Sequence, residues 1–271
     1  MELLVTSNWL NERRTDSDVI VLELGEMNTI SGNVPELEHR KIEGARCLDL
    51  KNDFSNNDDS LPNTIPSPEK FEGACRKLGI NSSSKIVVYD RRGVYWSPRV
   101  WWLFKAMGHD AIAILDGGLP DWLSKGYPTV TSNQNERYGS GNFEAHFRSE
   151  MLVNFEAVLA NTKHSKSVLI DARSSDRFNG LAPEPRKGLR SGHIPNAINI
   201  PYTHVLAKGK FKSKSLLVSI FKDLKKEERP LIFSCGSGVT ACIVLVASEL
   251  VLKNKKAIYD GSWTEWAQKI D

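Results

Sequence analysis

The 271-residue sequence carries one pattern twice, and this restricts the fold more than any single motif, because each copy has to form the same unit. Lys85-Ile-Val-Val-Tyr-Asp90 is a short β-branched run that leads into Arg91-Arg92-Gly93-Val94 and an apolar helical stretch from Val100 to Met107. Pro230-Leu-Ile-Phe-Ser-Cys235 has the same character and leads into Gly236-Ser237-Gly238-Val239 and the stretch from Thr240 to Leu252. Asp90 therefore corresponds to Cys235, at an offset of 145 residues. Ile114-Leu-Asp-Gly117-Gly-Leu-Pro-Asp-Trp122 matches Ile258-Tyr-Asp-Gly261-Ser-Trp-Thr-Glu-Trp266 at an offset of 144, and Ile42-Glu-Gly-Ala45 matches Ile194-Pro-Asn-Ala197 at 152. The change in offset puts an insertion in the polar stretch from Lys51 to Pro66 of the first copy.

Each copy alternates Val/Ile-rich runs with longer helical patterns, the signature of an α/β fold whose mainly parallel sheet is flanked by helices. In the second copy strands are expected near Val168–Asp171, Ala197–Ile200, Leu231–Ser234 and Ala257–Tyr259. Helices are expected near Phe155–Asn161, Leu216–Lys226, Val239–Leu252 and Trp263–Ile270. The polar stretch Tyr127 to Arg148, with Pro128 and the Gly139-Ser140-Gly141 trio, reads as a linker (127–148) between domains at 1–126 and 149–271. Hydrophobic residues are 40% and charged residues 25%, so each domain has the composition to build a core and disorder is excluded. The net charge of +3 is scattered, which argues against nucleic acid and anionic membranes as partners. No run approaches a membrane span. The four cysteines (Cys47, Cys75, Cys235, Cys242) form no CxxC pair, and a reducing cytoplasm is the expected setting.

Chemistry concentrates in Ser234-Cys-Gly-Ser-Gly-Val-Thr240. A cysteine there stands at the carboxyl end of a strand and just before a helix, where open α/β sheets place their ligand crevices. Gly236 and Gly238 allow successive N–H groups to turn inward, and the helix start adds positive potential, so the loop is an anion-binding nest that favours a thiolate. The alternative reading is a cysteine that merely caps a buried strand. Cys242, seven residues on, is expected on the same helical face as Cys235 and in the core.

Cys235-Gly-Ser-Gly-Val-Thr-Ala241, together with Asp171-Ala-Arg173, Gly192-His-Ile-Pro195 and Asp260-Gly-Ser-Trp263, resembles the two-domain rhodanese-like sulfurtransferases, most closely their 3-mercaptopyruvate type. The resemblance spans the chain and implies two tandem rhodanese-like domains, the second carrying the catalytic cysteine in a cleft bordered by the first. It implies that Cys235 accepts sulfur as a persulfide, with six successive N–H groups to stabilise it, and that Ser237 supports thiolate and proton handling. Gly236, Gly238, Val239 and Thr240 complete the binding loop, and Arg177 and Arg186 hold the donor's carboxylate, a task suited to guanidinium forks. Arg173 is expected to make a structural ion pair and His193 to serve a turn. The implied partners are a small-molecule sulfur donor and a thiol acceptor such as thioredoxin or a small dithiol, with no cofactor and no metal.

The sequence departs from the family where many mercaptopyruvate enzymes carry a first-domain Asp and His that relay protons to the loop serine. Lys51 and Asn63 fall near those positions. A phosphatase on this fold needs an Arg after five residues from the cysteine, where this chain has Ala241. Two alternatives stay open: thiosulfate as the donor, and a persulfide carrier or interaction module without a dedicated small donor.

Overall fold

A computed structural model of the chain describes residues 1–24, 40–131 and 136–270. They divide into two compact units: Met1–Asn56 with Pro66–Phe147 and Lys208–Lys210, and Asn57–Ile65 with Arg148–Ala207 and Phe211–Asp271. The strands in chain order are β1 (Leu4–Val5), β2 (Val19–Leu24), β3 (Arg40–Ile42), β4 (Arg46–Leu48), β5 (Lys85–Tyr89), β6 (Ile112–Leu115), β7 (Thr129–Thr131), β8 (Leu152–Val153), β9 (Val168–Asp171), β10 (Ile198–Asn199), β11 (Leu206–Ala207), β12 (Lys210–Phe211), β13 (Leu231–Ser234) and β14 (Lys256–Tyr259). The helices are α1 (Ser7–Arg13), α2 (Pro68–Lys77), α3 (Ser97–Ala106), α4 (Gly118–Ser124), α5 (Phe155–His164), α6 (Ser175–Phe178), α7 (Lys214–Ile220), α8 (Val239–Glu249) and α9 (Ser262–Lys269).

The repeat is a repeat of topology. In the first unit the parallel order is β1-β6-β5-β2-β4, and in the second β8-β14-β13-β9-β10 is the same order built from the matching strands. Every residue of β2 and of β13 is buried, as expected of central parallel strands covered on both faces. Local signals set the helix starts: Ser67 caps α2 by accepting from Lys70 N with Pro68 in the first turn, and Asn154 caps α5 by accepting from Ala157 N. The expected helix near Leu216–Lys226 is shorter, α7 followed by a 3₁₀ turn at Lys222–Leu224.

In the first unit, one core layer joins Leu10, Val21, Val87, Leu115, Leu119 and Trp122. An aromatic layer is built by Phe54, Phe71, Phe104 and Phe143, with Phe71 and Phe104 edge to face at 4.9 Å. Phe143 comes from the polar stretch read as a linker, whose end is packed rather than loose. Gly141 passes so close to Ile80 that a Cβ would lie 2.0 Å from its carbonyl oxygen, and Phe143 N donates to that same oxygen at 3.2 Å. In the second unit, Phe155, Leu169, Ile232, Tyr259, Trp263 and Trp266 form one layer. Helix α8 is apolar almost all round and is buried nearly throughout. That burial fixes the helix whose first turn follows the cysteine loop.

Candidate active site

Cys235 directly follows β13, whose Ser234 lies beside Asp171 of β9, and the residue is only 2% exposed. The loop after it is wound around α9. Trp263 N donates to Cys235 O at 2.9 Å, while Thr264 N and Thr264 Oγ1 donate to Gly236 O at 3.2 and 2.6 Å. Because a trans peptide sets its N–H opposite its carbonyl, the N–H groups of Gly236 and Ser237 turn away from α9. Gly238, at φ 76°, closes the turn into α8, whose first N–H groups at Val239 and Thr240 have no partner within the helix. The N–H groups of Gly236, Ser237, Val239 and Thr240 thus remain to form the cradle, with that of Ala241 next in the helix start.

Not all of the six expected N–H groups are available to a bound anion. The N–H groups of Cys235 and Gly238 instead donate to Ser262 Oγ at 3.2 and 3.0 Å, and that hydroxyl donates to Tyr259 O at 2.8 Å. Ser262 is fully buried at φ 51°, a left-handed conformation costly for a residue with a Cβ. Its repeat partner is Gly118, at φ 54°, and there Leu119 N donates to Asp90 O at 2.9 Å, just as Trp263 N does to Cys235 O. Cys242 also departs from expectation. Cys235 precedes α8 rather than lying on it, so the two share no helical face; Cys242 Sγ donates to Gly238 O at 3.2 Å and is buried.

The first unit shows what such a turn binds. Asp90 occupies the position of Cys235, and its buried carboxylate accepts from the N–H groups of Tyr95, Trp96 and Ser97 at 2.8–2.9 Å and from the Ser97 hydroxyl. Burial pushes the Asp90 carboxyl above its usual range, against those hydrogen bonds, which pull it down. A built-in carboxyl group fills this turn in the first unit.

Charged side chains frame the cysteine loop. Arg173, 1% exposed, pairs with Asp171 at 2.6 Å and with Glu184 at 2.8 Å, and its guanidinium lies 4.6 Å from the centre of the Trp263 ring. Glu184 also takes Arg177 through Nε at 3.1 Å and Nη2 at 2.5 Å. Arg186 instead donates to Thr264 Oγ1 at 3.3 Å. Burial draws the Arg186 guanidinium below its ordinary value; charge on Cys235 raises it, and Arg177 lowers it further. A Cβ on Gly236 would sit 3.0 Å from Arg177 Nη2 and 3.9 Å from Arg186 Nη1, so glycine leaves room for both beside the loop. Asn63 is also here, its Nδ2 donating to Ser237 Oγ at 3.1 Å. Lys51 is exposed in the first unit. His193 stacks on Phe178 at 3.9 Å and bonds its carbonyl through Nδ1 at 2.9 Å.

Ser262, Thr264 and Glu184 escaped the sequence reading. The serine left one signal, since it replaces a glycine of the repeat. Among the described residues no group of three His, Cys, Asp or Glu side chains converges as a metal centre, and no helix is long and apolar enough to cross a membrane.

The same five-stranded parallel sheet is built twice, and a cysteine-bearing loop follows the central strand of its second copy. The chain belongs to the rhodanese family: the rhodanese-like domain model matches residues 8–125 and again 155–269. It is 36% identical to thiosulfate/3-mercaptopyruvate sulfurtransferase 2 of Arabidopsis thaliana, over 98% of this chain and 84% of that protein. It is 35% identical to the 3-mercaptopyruvate sulfurtransferase of Escherichia coli K12, over 98% of this chain and 95% of that one. The crystal structure of SseA, a 3-mercaptopyruvate sulfurtransferase from Escherichia coli, superposes with a TM-score of 0.83 at 32% identity, covering 97% of this chain and 99% of that one.

Proposed function

We propose that this protein is a sulfurtransferase that takes sulfur from 3-mercaptopyruvate onto Cys235 and passes it to a thiol or to cyanide. The Cys235 thiolate attacks the donor sulfur. An S–S bond forms, the donor's C–S bond breaks, and the electron pair leaves as the enolate of pyruvate, which takes up the proton of the donor thiol. Ser237 is suited to pass that proton, receiving it from the thiol as it gives its own to the enolate carbon. The persulfide then lies in the cradle of the Gly236, Ser237, Val239 and Thr240 N–H groups. A thiol such as thioredoxin or a small dithiol removes the outer sulfur as its own persulfide, and cyanide removes it as thiocyanate. Both steps return the Cys235 thiolate.

The observation that carries this reading is Cys235 in the turn that Asp90 fills in the other unit, with Arg186 beside it. The composition of the loop supports mercaptopyruvate over thiosulfate as the donor. Thiosulfate releases doubly charged sulfite and gains from cations in the loop, whereas Gly236 and Ser237 are neutral and the Arg186 fork suits one carboxylate. The test compares kcat/KM for mercaptopyruvate and thiosulfate with cyanide and with thioredoxin. Mercaptopyruvate is expected to be the better donor with both acceptors. Faster turnover of thiosulfate would overturn the donor assignment, and turnover of neither would favour a persulfide carrier fed by a protein.

A further inference from the structure

We propose, resting on the reading of Cys235 and Ser237 given above, that Asn63 is a positioning residue that fixes the direction in which the Ser237 hydroxyl gives its proton. Asn63 Nδ2 bears only hydrogens, so in the 3.1 Å bond Ser237 Oγ is the acceptor. The single proton of Ser237 is thereby kept for a different acceptor. On the loop beside Cys235 that acceptor is the reacting sulfur or the carbon from which it departs. A partner that accepted the bond instead would draw the proton away from the reaction.

The segment 57–65 is built to hold this amide in place. Asn63 adopts φ 63°, a left-handed conformation that asparagine tolerates better than most residues. Two residues on, Ile65 N donates to Asp260 Oδ2 at 2.6 Å, and Thr64 between them is buried. The segment belongs to the stretch in which the first copy carries its insertion, and it packs with the second unit just as Lys208–Lys210 of the second copy packs with the first. The ionisable groups on the elements that carry the bond are Cys235 with Arg177, Arg186 and Glu184 beside its loop, Asp260, which accepts from Ile65 N, and Asp58 and Asp59 on the segment itself. An amide does not titrate, so the donor to Ser237 stays the same at every working pH.

The experiment uses the full chain and three replacements compatible with the backbone: Asn63→Asp, Asn63→His and Asn63→Gly. The Asp side chain has the same shape but, when ionised, can only accept. Near pH 8, kcat with mercaptopyruvate is expected to fall about tenfold or more in Asn63→Asp, the scale of one hydrogen bond, with KM and Tm little changed. Asn63→His restores an N–H donor and is expected to retain most of the wild-type kcat, with Asn63→Gly between the two. The ratio of Asn63→Asp to wild-type activity is expected to rise as pH is lowered towards about 5, where the carboxyl begins to regain a proton to donate. An Asn63→Asp protein as active as wild type, or an Asn63→His protein no better than it, overturns the inference alone. A wild-type protein that forms no persulfide refutes the underlying reading and the inference with it.

Discussion

Ser262 is the residue on which the geometry of the cysteine loop depends most, and its replacement separates two energies that the structure combines. Removing the hydroxyl leaves the buried N–H groups of Cys235 and Gly238 without an acceptor and Tyr259 O without its donor. An orphaned buried group costs about 1–3 kcal/mol, so Ser262→Ala is expected to lose roughly 2–4 kcal/mol. For a domain of this size that is a fall in Tm of roughly 5–15 °C. Ser262→Gly loses the same hydroxyl but relieves the strain at φ 51°, about 1 kcal/mol, as Gly118 does at the matching position. The expected order of stability is wild type, then Gly, then Ala. Persulfide formation should fall at least tenfold in both, because a displacement of about 1 Å at the nucleophile is enough for that. Thermal unfolding and the single-turnover rate with mercaptopyruvate read the two effects separately. A Ser262→Ala protein that melts with wild type, or a Gly protein less stable than the Ala protein, refutes the reasoning.

The two arginines are expected to respond differently. Arg186→Ala removes a guanidinium held by one weak bond, and should lower kcat/KM for mercaptopyruvate about tenfold to a hundredfold with little change in Tm. Arg177→Ala should lower Tm as well, since it takes one of two cations from the buried Glu184 carboxylate; steady-state kinetics and unfolding of the pair check this. A pH effect is expected at His109, buried against Phe104 and Phe143, where burial holds the imidazole below its ordinary value. The folded state then binds fewer protons than the unfolded one, so this contribution to stability is present above the unfolded value of about 6.5 and is lost as pH falls through the folded value. Melting temperatures from about pH 7.5 to 5.5 should drop more steeply in wild type than in His109→Gln.

The repeat made most of the fold legible, because strand order follows from matching copies and a right-handed βαβ progression. It also identified Cys235, since a cysteine stands where its sister has Asp90. What the sequence hid were contacts between segments distant in the chain. Ser262 lies 27 residues from Cys235, and its role depends on where α9 starts against the loop. Glu184 carries no signal in the sequence, yet burial between Arg173 and Arg177 makes it the anchor of both. Asn63 fell near a relay position by resemblance, but only the fold gives its bond a direction: an amide nitrogen facing a hydroxyl.

The central claim is that Cys235 alone carries the transferred sulfur. The most direct measurement is the intact mass of the protein after incubation with mercaptopyruvate and no acceptor, beside Cys235→Ser and Cys242→Ser. Wild type and Cys242→Ser should each gain one sulfur atom that cyanide or a dithiol removes, and Cys235→Ser should gain none. A sulfur adduct on Cys235→Ser, or its mapping to Cys47, Cys75 or Cys242, contradicts the account.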